Sequence, residues 1–166
     1  MSRVESFPPI VSEKSKVLIL GSMPGKASLK AGQYYAHPRN AFWRITGELF
    51  GAGPSLPYDE RVARLNSAGV ALWDSLQACI RPDSLDSSIT EEVTNDFSAF
   101  FAKYPHITHV YFNGGKAETV FRRHALPSLP NTQHVFTRLP STSPAHAAIP
   151  FNAKVQAWSV MRKILI

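Results

Sequence analysis

LGSMPGKASLKAGQYYAHPRNAFW, residues 20–43, is the stretch from which the rest of this chain can be read. Val17, Leu18, Ile19 and Leu20 lead into it. Such a continuous apolar run is the pattern of a strand buried on both faces, as in a parallel sheet. Gly21, Pro24, Gly25 and Gly32 then follow at a density that predicts an irregular loop rather than a helix. Tyr34 and Tyr35 come next, and His37-Pro38-Arg39-Asn40 runs into an apolar helix from Ala41. Glycine lets the backbone approach a ligand closely, and a helix start offers unpaired N–H groups to an anion. Aromatic rings beside such donors suit a flat, hydrogen-bonding ring near a phosphate, so the stretch points to a nucleotide pocket.

Working outward, four segments read as strands: Lys16 to Leu20, Val70 to Trp73, Thr108 to Phe112 and Gln133 to Leu139. Helices are expected from Pro38 or Asn40 to Phe50, from Asp59 (as cap) to Asn66, from Lys116 to His124, and from Phe151 to Ile166. Ser88 stands three residues before Glu91, a capping-box spacing, which predicts a further helix to Lys103 with Val93, Phe97, Phe100 and Phe101 in the core. Met1 to Ser15 reads as an irregular lead-in, and Ile80 to Ser88 and Leu126 to Asn131 as loops. Strands alternating with helices imply an α/β fold on a central, mainly parallel four-stranded sheet. Ligands in such folds gather beyond the carboxyl ends of the strands. The loops after Leu20, Phe112 and Leu139 all leave those ends.

The 166 residues are sized for a single domain spanning 1–166, and 44% apolar with 18% charged residues excludes a disordered chain. No apolar run nears the roughly 18 residues of a membrane helix, and no secretory leader pattern opens the sequence. The single Cys79 rules out an internal disulfide and a cluster held by four cysteines of this chain, and fits a reducing cytoplasm. A net charge of +6, scattered over pairs such as Lys26/Lys30 and Arg122/Arg123, favours a polyanionic partner met by a folded basic face.

Gly21-Ser22-Met23-Pro24-Gly25, followed by Tyr35-Ala36-His37-Pro38-Arg39-Asn40-Ala41-Phe42-Trp43, resembles the first motif of the uracil-DNA glycosylase superfamily. The mismatch-specific uracil/thymine enzymes carry a similar Gly-x-Asn-Pro-Gly loop and His-Pro-x-Asn-x-Phe-Trp run. The closer likeness is to the hypoxanthine-DNA (DNA-deoxyinosine) glycosylase branch, whose second motif Leu139-Pro140-Ser141-Thr142-Ser143-Pro144 resembles. Segments GVALWDSL (69–76), SLDSSI (84–89) and FNGGKA (112–117) extend the likeness over most of the chain. It implies a three-layer α/β/α fold and a monofunctional DNA glycosylase of base excision repair. Such an enzyme hydrolyses the N-glycosidic bond of a deaminated base, here hypoxanthine. The partner is double-stranded DNA holding the damaged base. No metal, organic cofactor or obligate protein partner is implied, and the protein is expected to be a cytoplasmic monomer. Uracil or mixed uracil/xanthine excision, and a non-catalytic nucleic-acid-binding module, remain the alternatives.

The resemblance assigns roles residue by residue. Asn40 and Asn113 are the expected catalytic residues; Gly21, Ser22, Met23, Pro24, Gly25, Tyr35 and Asn113 bind the base; His37, Arg39, Ser141, Thr142, Ser143 and His146 meet DNA. Taken on local chemistry alone, a helix cap is the better reading of Asn40, and a strand-to-helix turn reads as well as function for Asn113-Gly114-Gly115. Met23 stands where the mismatch-specific enzymes have a water-activating Asn, and a thioether cannot orient water strongly. Catalysis therefore passes to Asn40 and Asn113. Tyr35 is expected to stack on the base, with Tyr34 facing the other way. Lys116 reads as a solvated lysine, and no lysine is placed for a Schiff base. A Gly-x-Ser-x-Gly elbow, zinc-type spacing and a phosphate-binding Gly-x-x-x-x-Gly-Lys run are all missing from the sequence.

Overall fold

The computed structural model describes residues 3–81 and 89–165. In chain order, the elements are β1 (Arg3–Glu5), β2 (Val17–Gly21), α1 (Lys26–Ala31), α2 (Phe42–Phe50), α3 (Tyr58–Ala68), β3 (Val70–Asp74), β4 (Leu76–Ile80), β5 (Thr90–Thr94), α4 (Phe97–Lys103), β6 (His109–Asn113), α5 (Gly115–Val120), β7 (Val135–Leu139), α6 (Phe151–Trp158) and α7 (Arg162–Leu165). A wide helical turn over Phe121–Ala125 and a tight one over Leu126–Ser128 continue α5.

Four strands form a parallel sheet in the order β3-β2-β6-β7. Successive residues of a strand point to opposite faces, and β2 uses both. Val17 and Ile19 join Phe42, Trp43, Ile45, Leu49, Leu65, Trp158 and Met161 on the side of α2, α3 and α6. Leu18 and Leu20 join Phe97, Phe100, Phe101, Phe112 and Phe121 on the side of α4 and α5. Helices on both faces of one sheet make the three layers, as expected. In register, Gly21 pairs with Asp74 and Asn113 with Leu139, so four strand ends lie along one edge of the sheet.

The departures have local causes. Residues 26–31 lie inside the stretch read as loop, yet they form α1, closed by Gly32 in the left-handed region at φ 65°. Six residues between two glycines are too short for a visible helical period. The lead-in is not wholly irregular, because β1 pairs antiparallel with β4, and β4 with β5, in a second three-stranded sheet. The expected helix from Ser88 is overturned on its described residues. Thr90–Thr94 is a strand, Val93 is 40% exposed rather than core, and the helix begins only after Asp96, whose Oδ1 accepts from Ala99 N–H at 3.1 Å. Ser88 and most of the expected Ile80–Ser88 loop lie outside the described residues, as does nearly all of the SLDSSI segment; Ile80 itself ends β4. Asp59 is not a cap, since α3 starts one residue earlier, behind Pro57. The last helix is broken by a tight turn at Ser159–Met161. Lys116 is part-buried and ion-paired rather than freely solvated: its Nζ meets Glu92 Oε1 of β5 at 2.9 Å, and His124 reaches the other oxygen of that carboxylate at 3.2 Å.

Candidate active site

Beyond the carboxyl edge of the parallel sheet lies a cavity of about 440 Å³. Its wall contains the whole Gly21–Gly25 loop, Tyr35, His37, Asn40, Asp74, Asn113 and the Ser141–His146 loop. Of the expected site residues, Arg39 alone is not on this wall; it is exposed beside it. The volume falls within the range of small-molecule sites and admits a nucleobase.

Each loop is held by its own bonds. The carbonyls of Gly21 and Ser22 accept from Ser75 N–H at 2.7 Å and Leu76 N–H at 3.2 Å, tying the first loop to the β3–β4 junction. The buried Arg81 guanidinium donates to the Pro24 carbonyl. Met23 packs with Leu76, Cys79, Ile89 and Val120, so its buried side chain is both cavity wall and core. His37 Nδ1 accepts from Arg39 N–H at 3.1 Å and its carbonyl from Asn40 N–H at 2.9 Å; it shapes the turn into α2.

Asn40 Oδ1 accepts from Phe42 N–H at 2.9 Å, so it does support the helix start. That bond also fixes the amide, with a second lone pair of the oxygen and the Nδ2 hydrogens left for a ligand or water. Asn113 is engaged at both ends by one residue. Its Oδ1 accepts from Thr142 N–H and its Nδ2 donates to Thr142 Oγ1, each at 2.9 Å. The Thr142 carbonyl accepts in turn from Ala41 N–H at 2.9 Å. Buried Thr142 thereby joins the loops after β6 and β7 to the start of α2. The Ser141 and Ser143 hydroxyls accept from the N–H groups of Ser143 and Ala145 within their loop, both at 3.2 Å. Lys154, buried below, donates to the His146 carbonyl at 2.8 Å, and its burial, with Arg44 nearby, lowers its pKa.

The two tyrosines differ in setting, although both reach the cavity wall. Tyr34 is core: its hydroxyl donates to the Pro8 carbonyl at 2.7 Å, and burial foremost, then the charge of Asp74, raises its pKa. Tyr35 stacks on Phe42 with ring centroids 4.2 Å apart and planes 19° from parallel, its backbone in the left-handed region at φ 53°. That conformation is costly for a bulky residue and tends to gather at functional sites.

Among the cavity residues that sequence reasoning did not assign to the site, two are charged, Asp74 and Lys26. Asp74 is buried at the end of β3, whereas in sequence it read only as the residue after a strand ending at Trp73. Lys26 also lies on the wall, although no lysine was expected at the site. The pairing of Gly21 with Asp74 is what brings the carboxylate in, and no local pattern encodes strand register across 53 residues. Among the described residues, no group of three His, Cys, Asp or Glu could hold a metal ion, and no helix is long and apolar enough to cross a membrane.

Comparison with known proteins shows the family and the fold. The family model of the uracil DNA glycosylase superfamily matches residues 8–162. A protein named hypoxanthine DNA glycosylase from Methanosarcina barkeri is 39% identical over 68% of this chain and 72% of its own length. One of the same name from Methanosarcina acetivorans is 38% identical over 67% and 71%. An NMR solution structure of a Methanosarcina acetivorans protein, named for the uracil DNA glycosylases, superposes with a TM-score of 0.83 at 32% identity. That match covers 98% of this chain and 99% of the other.

Proposed function

The chain belongs to the uracil DNA glycosylase superfamily, and we propose that its cavity excises hypoxanthine from deoxyinosine in double-stranded DNA. The observation that carries this reading is the meeting of the Gly21–Gly25 loop, Tyr35, Asn40 and Asn113 on one nucleobase-sized cavity. A base stacked in a duplex is out of reach, so the nucleotide is extruded, and damaged pairs resist that least. Tyr35, with one face against Phe42, offers its other face to the base. The bond from C1′ to the base nitrogen breaks, its electron pair leaves with the base, and the sugar becomes oxocarbenium-like. Asn40 holds the water that adds to C1′; the water's second proton is released. Backbone N–H groups of the Gly21–Gly25 loop and the Asn113 amide stabilise the departing base. His37, Arg39, Ser141, Ser143 and His146 meet the DNA around the mouth, and Thr142 sets the shape of their loop.

The protein acts as a cytoplasmic monomer without cofactor. Lys26 on the wall makes strand cleavage a matter for direct test. Borohydride added during turnover should trap no covalent protein–DNA adduct, and a trapped adduct removed by Lys26→Met would overturn the hydrolytic reading. The main test is a duplex panel holding inosine, uracil, xanthosine or mismatched thymine. Inosine excised above the rest supports the proposal, uracil in first place moves the substrate, and binding without excision sinks the enzyme.

A further inference from the structure

Asp74 is the one acidic side chain on the cavity wall among the described residues, and it is only 3% exposed. Its position is set by register: a β-carbon added to Gly21 would lie 2.7 Å from Asp74 Oδ1 and 2.7 Å from the Tyr35 hydroxyl oxygen. The carboxylate thus stands beside the residue expected to stack the base, at the strand ends. Ser143 and His146, nearer the mouth, are more exposed.

A carboxylate is a poor companion for phosphates, and burial disfavours its charge. Its placement in a DNA-directed cavity therefore calls for a ligand group that wants an acceptor. A carboxylate has about four lone-pair sites, so it can be held by the protein and still accept from a ligand. Bases differ at this point in a way that matters. Adenine N1 and cytosine N3 carry lone pairs. Deamination turns each into an N–H donor in hypoxanthine and uracil. A carboxylate accepts from that N–H and repels the lone pair of the undamaged base. An Asn amide discriminates less, because it can present either end, and Asn113 already spends both ends on Thr142.

We propose that Asp74 is a specificity-determining residue, accepting the ring N–H that deamination creates, which for hypoxanthine is N1–H. The inference rests on the glycosylase reading above and adds to it the atom by which the lesion is recognised. Guanine keeps its N1–H, so its exclusion falls to other parts of the wall.

The experiment compares single-turnover excision from duplexes holding inosine or 1-methylinosine, whose N1 carries methyl in place of hydrogen. The wild type should process 1-methylinosine roughly 10²-fold more slowly than inosine, since a polar site penalises loss of its hydrogen bond heavily. Asp74→Ala should lower inosine excision by about as much, whereas Asp74→Asn, whose amide oxygen can still accept from N1–H, should lose less. Asp74→Ala, which also makes room for the methyl, should bring the two substrates within roughly threefold of each other. Circular dichroism checks that the variants fold, and the wild-type comparison stands if they do not. Equal wild-type rates on the two substrates, or unchanged inosine excision by folded Asp74→Ala, would overturn the assignment. Persistent discrimination in folded Asp74→Ala would do the same. A wild type inactive on inosine would instead sink the substrate proposed above, and this inference with it.

Discussion

Asn113 and Thr142 grip each other at two points, amide oxygen to backbone N–H and amide nitrogen to hydroxyl, both at 2.9 Å. The grip spans 29 residues and closes the gap between the loops leaving β6 and β7. Asn113→Asp separates bracing from chemistry. A carboxylate still accepts from Thr142 N–H, and the threonine hydroxyl can turn to donate to it. The new charge, however, would face a base that is becoming anionic. Excision should fall about 10²-fold or more, with the melting temperature moved by less than about 3 °C. A folded Asn113→Asp with wild-type rates would reduce Asn113 to a brace.

Thr142→Val tests the other side of the grip. It keeps the backbone N–H but leaves Asn113 Nδ2 without its acceptor, at a cost of about 1–3 kcal/mol. Thr142→Ser retains the hydroxyl and should recover most of that loss. Denaturant titration of both variants measures it, and equal stability of the two would mean the hydroxyl bond contributes nothing.

Asn40 has a helix-start bond and a proposed role in holding water, and the two respond differently to substitution. Asn40→Ala should lose about 1 kcal/mol of stability and about 10²-fold in single-turnover rate. Asn40→Ser can still accept from Phe42 N–H, so stability should return while the rate stays low. Recovery of both together would assign Asn40 to the helix alone.

Tyr35→Ala should cost about 1–3 kcal/mol of productive base binding. Tyr35→Phe should cost little, because the ring that rests on Phe42 remains. The comparison is made on inosine duplex, as single-turnover rate against enzyme concentration. If the two variants are indistinguishable, stacking by Tyr35 is wrong.

Acid should weaken the fold at His134, whose ring lies 4.0 Å from that of Phe101. Burial first, and His109 second, hold its pKa below the ordinary 6.5, against a backbone bond at Ile107 that raises it. The unfolded chain therefore binds the proton more readily than the folded one. This contribution is complete above pH 6.5 and is lost as pH falls through the folded value. Melting temperatures at pH 7.5 and 5.5 should differ more for the wild type than for His134→Gln. An equal or larger difference in the variant would remove His134 as a cause.

Much was legible in sequence because it depends on neighbours along the chain. Four unbroken apolar residues from Val17 to Leu20 specify a strand with no solvent face, and the spacing of Phe97, Phe100 and Phe101 specifies a buried helical side. Gly21 to Gly25, Tyr35 and Asn40 announce a ligand loop by residue type, and all lie on the cavity. Tertiary structure decided what depends on a distant partner. Thr90–Thr94 became a strand because β4 offered it backbone bonds, overriding a spacing that mimics a helix start. Asp74 became a cavity residue because parallel register sets it against Gly21, and Asn113 became a clasp because Thr142 arrives there from another strand. Local propensity is carried by a few adjacent side chains, whereas register and convergence are settled only when buried strands align their apolar faces in a common core.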